Sequence, residues 1–447
     1  MQNPPLKKHP RSLALSAAVA ALLCLPLFAP LCPRVGAQSL GFDRDRGREM
    51  LSAIKSDIKN NYYDPNVRGM DLETRFRQAE EEVKQAKSLG QITAAIAQAL
   101  LDLNDSHTFF LPPSQTTRVE YGWLMQMFGT ACYVVAVKPG SDAEAQGLKP
   151  GDRVLSINNH TPTREDLWKM RYFYNVLSPQ NGLSVVVQSP GEQPRPLNLA
   201  AKVRTGKVVL GGYNDWMQLE REYQRDRRLN THRFVDVGDD LFLWRMAAFD
   251  LPDEKVDDIM GRARKKKAMI LDLRGNGGGY ETTMLRLIGS FFDRDVKVGD
   301  IKRRKETKPL VAKSRGNDAF EGQLTVLIDS ESGSAAEVFA RVVQLEKRGT
   351  VIGDRSMGAV MRSRVYGHQL GADSAIFYAV SITDADVIMM DGQSLEHVGV
   401  KPDMLLLPNA KNLASGRDPV LSYAATLLGV TLDPAKAAEL AKFEWGN

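Results

Sequence analysis

The sequence predicts an α/β multidomain protein. It has an N-terminal helical region, then a β-rich module, then an α/β core with a mainly parallel sheet. Three observations carry this. Residues 41–105 place apolar residues at helical spacing, as in Leu51, Ile54 and Ile58 or Leu72, Phe76, Ala79 and Val83. Residues 121–203 contain the short runs TACYVVAV, SVVVQ and LNLAAKV between glycine-rich turns. Residues 204–410 alternate strand-like and helix-like runs, the pattern of parallel strands joined by crossover helices.

The chain begins with a segment unlike the rest. LKKHPR is basic without acids, SLALSAAVAALLCLPLFAPLC is continuously apolar, and Val35-Gly36-Ala37 supplies small residues. Together they predict a signal peptide over 1–37, cleaved after Ala37, and a periplasmic or secreted mature protein without stable membrane insertion. Pro26 and Pro30 disfavour a permanent span, and Leu23 and Leu31 before Cys24 and Cys32 disfavour a lipid anchor. The formal charge of +5 includes Lys7, Lys8, Arg11 and Arg34 from this segment, so the mature chain carries only +1. That balance argues against a nucleic-acid partner. Only Cys132 remains of the three cysteines, which leaves no internal disulfide and no CxxC metal pattern.

A helical domain is predicted over 38–120. It is interrupted at NYYDP (61–65) and Gly90, and closed by Pro112 and Pro113 after NDSHTFF. The β module is expected over 121–205 and the core over 206–410. In the core LFLWRMAAF, AMILD, QLTVLIDS and TVIGD read as strands, and VDDIMGRARKKK, TTMLRLIGSFF and SAAEVFARVVQL as helices. A helical tail is expected over 411–447. The basic runs Arg262–Lys267 and Lys302–Lys305 read as solvated faces, since no aromatic platform accompanies them.

Two stretches of the core invite chemistry. DLRGNGGG (272–279) ends a buried strand in glycines whose N–H groups can converge on an anion. No GK[ST] follows, and a G-x-G-x-x-G spacing fails at Tyr280, so a phosphate loop is not supported. Ser334, in IDSESGSAAEVFARVV (328–343), stands at a strand-to-helix junction. It begins the capping-box pattern Ser334-Ala-Ala-Glu337, so by itself it reads as a helix cap. As a nucleophile it needs a base. Of His107, His160, His232, His368 and His397, the setting NDSHTFF favours His107, while His397 adjoins Glu396 in SLEHVGVKPD. Neither an HExxH set nor a G-x-S-x-G elbow is present, so no metal and no cofactor is expected.

GSDAEAQGLKPGDRVLSINN (140–159) resembles a PDZ domain. The resemblance implies capture of a peptide as an added strand, its carboxylate held by a loop around Tyr121, Gly122 and Trp123. That loop departs from the commonest Gly-Leu-Gly form, and a PDZ that only positions its neighbours is the competing reading.

NDSHTFFLPP, the PDZ-like module, DLRGNGGG, DSESGSAAEVFA and EHVGVKPD occur in the order of the tail-specific, or C-terminal processing, serine peptidases. In the better-known branch of that family a lysine follows the serine by about 25 residues. The position reached here is Ala359, and Lys347 falls too early. The pattern resembles instead the branch of the tricorn core and the retinoid-binding-protein-like peptidases. This resemblance implies a serine endopeptidase with Ser334 as nucleophile and His107 as general base. Ser106 and Glu396 would orient the histidine, and Gly278 with the Ala335 amide would form the oxyanion hole. The partner implied is a polypeptide substrate, and no oligomeric state follows. The alternative is a non-catalytic peptide- or ligand-binding protein on the same fold, with Ala359 marking a decayed site.

Overall fold

The computed structural model describes residues 35–113, 117–205, 232–371, 376–441 and 445. The predicted signal segment lies outside the described residues as far as residue 34, and Val35 opens the first helix.

The core is built on a six-stranded sheet. In spatial order its strands are Met404–Leu405, Thr350–Gly353, Gln323–Ile328, Ala268–Asp272, Leu241–Arg245 and Arg233–Val237. All neighbours are parallel except the last pair. The run Ala268–Asp272 is buried at every position because both faces of the sheet are covered. On one face Phe242, Met269, Leu271, Val326 and Ile328 pack against the helices Asp253–Ala263, Glu281–Gly289 and Ala335–Leu345. On the other, Leu243, Ile270, Leu327 and Ile352 meet Val420, Leu421, Ala424 and Ala437 of the tail. The tail therefore forms one wall of the core.

The core sheet is mainly parallel, as the sequence predicts, and a second, antiparallel sheet that the sequence reading did not foresee stands beside it. Val296–Arg303, Thr307–Ala312, Met361–Leu370 and Ile376–Met389 pair antiparallel, and Phe109–Leu111 joins them from the helical region. Two of its pairings join strands adjacent in sequence, whereas Ile376–Met389 also pairs with the remote segments Phe109–Leu111 and Val296–Arg303, which strand periodicity does not identify. The helices Val35–Asn61, Leu72–Gln85 and Leu89–Leu101 bury Leu51, Ile58, Phe76 and Ile96 against Tyr378, Val380 and Ile382 of this sheet. Side chains of Asp71 and Ser88 cap the second and third of these helices. The loop carrying His107 thus leaves a packed helix and enters a paired strand within a few residues.

The β-rich module is a five-stranded antiparallel sheet from Trp123–Phe128 to Arg195–Ala200. Trp123–Phe128 is its edge. Thr117–Glu120 pairs with Lys202–Thr205, so the chain enters and leaves the module side by side. The basic runs are matched by acids: Asp236 faces Arg262 and Lys266, Asp318 faces Arg264, and Glu306 faces Arg303 and Lys308.

One buried ion network ties the tail to the glycine turn. Arg274 donates to both carboxylate oxygens of Asp272, at 2.8 Å each, and to Asp418 at 2.8 and 3.1 Å. Asp418 also caps the helix Pro419–Leu427. Asp418→Ala removes one of the two carboxylates on the partly buried Arg274, which keeps Asp272, and a helix cap with it, so a loss of about 2 kcal/mol is expected. Urea unfolding of the variant measures it.

Candidate active site

Ser334 follows the strand Gln323–Ile328 through a turn that is tightly held. Asp329 Oδ1 accepts the N–H groups of Gly275 and Glu331, both at 2.9 Å, and Ser332 Oγ donates to Leu273 O at 2.8 Å. The turn is thereby fastened to the start of the glycine turn beside it. Ser334 itself has φ 53° and ψ −118°, a left-handed region that a residue with a Cβ rarely enters. Its N–H donates to Ala359 O at 2.9 Å and Glu337 Oε2 at 3.0 Å. Ser334 and Glu337 have the capping-box arrangement, yet no cap hydrogen bond holds the hydroxyl of this half-exposed residue.

Glu337 does more than cap. Its fully buried carboxylate also accepts from Ser356 Oγ (2.5 Å), Gly358 N–H (2.7 Å) and Ala359 N–H (2.9 Å). Burial pushes the group up to about 7, against the pull of those donors. The turn at Ala359, the position the sequence resemblance singled out for a lysine, is bonded to the backbone of Ser334.

The other half of the site is Asn104–Thr108. Asp105 Oδ1 accepts the N–H of His107 (2.9 Å) and of Thr108 (3.1 Å), and Asp105 Oδ2 accepts the buried Tyr62 hydroxyl at 2.8 Å. Ser106 lies between two partners: its Oγ is 2.8 Å from Glu396 Oε2 and 2.7 Å from His107 Nδ1. A hydroxyl has one proton. Given to the carboxylate, it obliges Nδ1 to carry its own hydrogen and donate to Ser106 Oγ, which leaves the Nε2 lone pair free. Glu396, its side chain 4% exposed, also accepts Ser106 N–H and Val360 N–H at 2.9 Å each. Burial pushes the His107 imidazole below its ordinary value, while Glu396 and Asp105 pull it back up.

Ser106, His107 and Glu396 are thus in direct contact. Ser334 joins them through Ala359, which accepts its N–H and precedes the Val360 that binds Glu396. Among the described residues no hydrogen bond links the side chains of His107 and Ser334. Gly278 packs against Ser334, since a Cβ on it would stand 2.6 Å from Ser334 Cβ and 3.1 Å from Ala335 N. Its own N–H, however, donates to Asn276 Oδ1 at 2.8 Å. The Ala335 N–H, in the first turn of its helix, has no acceptor among the described residues.

His397 adjoins the site with Nε2 2.9 Å from Asn104 O and 3.5 Å from Glu396 Oε1. His232 and His368 pair elsewhere, with Asp250 and Asp57. Among the described residues no group of three or more His, Cys, Asp or Glu is arranged to hold a metal ion. The sequence reading passed over Asp105, Asn276 and the Val360 N–H. Asp105 had a signal, because an aspartate two residues before His107 forms an Asx turn. A backbone N–H such as that of Val360 leaves no residue-type trace.

In the β module the Tyr121 and Trp123 side chains are buried, and Tyr121 OH bonds to Tyr174 O and Gln180 N, both at 3.1 Å. Among the described residues the N–H groups of Tyr121 and Gly122 have no acceptor. Gly122 has φ +74°, and a Cβ there would meet Ser141 Cβ at 2.5 Å. The edge strand Trp123–Phe128 is fastened to the turn before Ser334. Gln126 donates to Asp329 (2.6 Å), Ser330 donates to Met127 O (2.6 Å), and Arg171 pairs with Glu331 (2.7 Å).

Residues 243–406 match the model of Peptidase family S41, and residues 120–171 match that of the PDZ domain. A tail-specific protease of Haemophilus influenzae is 23% identical over 322 residues, covering 67% of this chain and 43% of its own length. A probable CtpA-like serine protease of Staphylococcus aureus is 22% identical over 349 residues, covering 73% of this chain and 64% of its own. The chain therefore spans less than two thirds of the length of either relative. The crystal structure of mature CPAF superposes with a TM-score of 0.63 at 14% identity, over 83% of this chain and 94% of that one. That likeness is one of fold.

Proposed function

The core of this chain is that of a serine-type peptidase of family S41, preceded by a PDZ domain, and on that footing we propose that it cuts polypeptides through an acyl-enzyme on Ser334. The single observation that carries the reading is the bonded series Glu396–Ser106–His107, whose one shared hydroxyl proton leaves Nε2 as the free base. His107 Nε2 takes the Ser334 hydroxyl proton as Oγ bonds to the scissile carbonyl carbon. The imidazolium is steadied through Ser106 by the Glu396 charge. It then gives the proton to the leaving amine as the C–N bond breaks, and water repeats the sequence to release the acyl group. The His107–Ser334 hydrogen bond forms, on this reading, as substrate fills the cleft. The Tyr121–Gly122 backbone captures a peptide carboxylate, and an N-terminal signal exports the enzyme to the periplasm or medium.

The test is covalent. A fluorophosphonate incubated with the protein should add to Ser334, located by peptide mass mapping, and the adduct should no longer cleave an unfolded polypeptide. Labelling elsewhere, or cleavage that survives full labelling of Ser334, sinks the assignment.

The pH dependence follows from His107. With burial holding the imidazole below its usual range, the free base persists at pH values where an ordinary histidine is protonated. The acid limb of kcat/KM is therefore expected below 6.5, the ordinary histidine value. Because the folded state prefers the neutral ring, the same group stabilises the fold above its unfolded pKa. That contribution is lost as pH falls. A pH–rate profile from pH 4 to 9 gives the position of the limb.

A further inference from the structure

His397 follows Glu396, and its bonds reach both halves of the site. Its N–H donates to Gly358 O at 2.8 Å. Gly358 N–H in turn donates to Glu337 Oε1, and the other oxygen of that carboxylate accepts Ser334 N–H. The backbone of His397 is therefore tied to the turn that holds Ser334. Its ring goes the other way. Nε2 lies 2.9 Å from Asn104 O, at the start of the loop that carries Asp105, Ser106 and His107. A carbonyl oxygen can only accept, so Nε2 carries the ring hydrogen. The Arg68 guanidinium donates to the same oxygen from the helical region. Asn104 O is thus held by two donors, and its peptide leads directly into Asp105, whose Oδ1 accepts His107 N–H.

The backbone at 397 is unusual as well. Its φ is 62°, in the left-handed region that glycine enters freely and a side chain opposes. The surroundings impose it. Gly358 packs so closely that a Cβ on it would stand 3.1 Å from His397 C and 3.2 Å from Val398 N. Asn104, at the other end of the ring's bond, is also left-handed, with φ 49°. A histidine held in a conformation suited to glycine, its ring half exposed yet bonded inward, is local strain of the kind that accompanies function.

We propose that His397 is a positioning residue for the base: its Nε2–H, bonded to Asn104 O, clamps the His107 loop onto the turn that holds Ser334. The inference rests on the acyl-enzyme reading above. Glu396 makes the same crossing in the interior, through Ser106 and the Val360 N–H, and His397 makes it at the rim. Two crossings on adjacent residues fix a direction as well as a distance, so the His107 loop cannot pivot about the Glu396 carboxylate. The two rings then hold their hydrogens on opposite nitrogens, Nδ1 in His107 and Nε2 in His397.

The experiment uses the full chain in three forms: the parent, His397→Gly and His397→Gln. Glycine removes the ring and enters φ 62° freely, so the melting temperature should stay within about 2 °C of the parent. For an unfolded polypeptide kcat should fall about 10-fold, less than the roughly 10²-fold of a 1 Å misplacement because Glu396 still crosses. KM should hold, since the ring acts through the loop and not on substrate. Glutamine places an amide N–H where Nε2 stands and should recover most of the loss. Nitrogen-15 ring shifts add a signature that a merely structural role would not move. They should show the His397 hydrogen on Nε2 in the parent, and the His107 Nδ1 proton exchanging faster with water in the glycine form. An unchanged kcat in His397→Gly overturns the inference alone. So does a glutamine form as slow as the glycine form, or a parent His397 with its hydrogen on Nδ1. A raised KM with kcat intact would make the ring a substrate contact, and a lower melting temperature with kcat per folded molecule unchanged would make it a staple of the fold; either overturns the positioning role. Absence of a Ser334 fluorophosphonate adduct in the parent overturns the acyl-enzyme reading and takes the inference with it.

Discussion

Ser334→Ala is expected to lower kcat for cleavage of an unfolded polypeptide by about 10⁶-fold, since a triad acts as a unit and loses nearly everything with its nucleophile. The fold should survive. The Ser334 hydroxyl makes no cap hydrogen bond, so its loss leaves no buried group unpaired. What holds position 334 is its backbone: the N–H is shared between Ala359 O and Glu337 Oε2, and alanine keeps both bonds. Alanine meets the same steric resistance at φ 53° as serine does, so the strain is unchanged. Stability should therefore stay within about 0.5 kcal/mol of the parent. Circular dichroism on heating, run beside the cleavage assay, separates the two effects. A variant that keeps a tenth of the parent rate would return Ser334 to being only the start of a helix.

The candidate site of this molecule was easier to assemble from the sequence than its architecture, for a physical reason. Ser106-His107, Ser334 and Glu396 each sit in a short stretch whose residue types suggest a role before any long-range pairing is known. The long antiparallel sheet is different. Ile376–Met389 finds its partners at 109–111, 296–303 and 361–370, and period-two alternation says that a strand exists without saying what it pairs with. The tail carried no motif because its contribution is burial. Val420, Leu421 and Ala424 only make sense against Leu243 and Ile270, which are remote in sequence. Glu337 was half legible. The capping-box spacing identified its bond to Ser334, but its three other donors arrive from 356–359, a turn that sequence alone did not bring under Ser334. At the glycine turn, sequence could place N–H groups near an anion but not aim them. Their directions depend on which carbonyl each neighbouring segment binds, and that is set by strand order.

Glu396→Gln is the second variant with a large expected effect, about 10⁴-fold in kcat by analogy with the carboxylate-to-amide change in a serine triad. The argument is about one proton. Glu396 is acceptor to three donors: Ser106 N–H at Oε1, and Ser106 Oγ–H and Val360 N–H at Oε2. Glutamine has one oxygen and one NH2 group. With the NH2 at the Oε1 place, it confronts Ser106 N–H. With the NH2 at the Oε2 place, it confronts Val360 N–H and also turns the Ser106 hydroxyl into an acceptor. The hydroxyl must then give its proton to His107 Nδ1, which drives the ring hydrogen to Nε2 and removes the lone pair that should face Ser334. The side chain keeps its size, so a rate loss without loss of the fold isolates the proton arrangement. Nitrogen-15 shifts of His107 report the tautomer directly, with the hydrogen on Nδ1 in the parent and on Nε2 in the variant when its NH2 takes the Oε2 place. If the shifts show Nδ1 protonated in both and the rate is still lost, Glu396 acts through its charge on the imidazolium, and the Ser106 proton does not set the base.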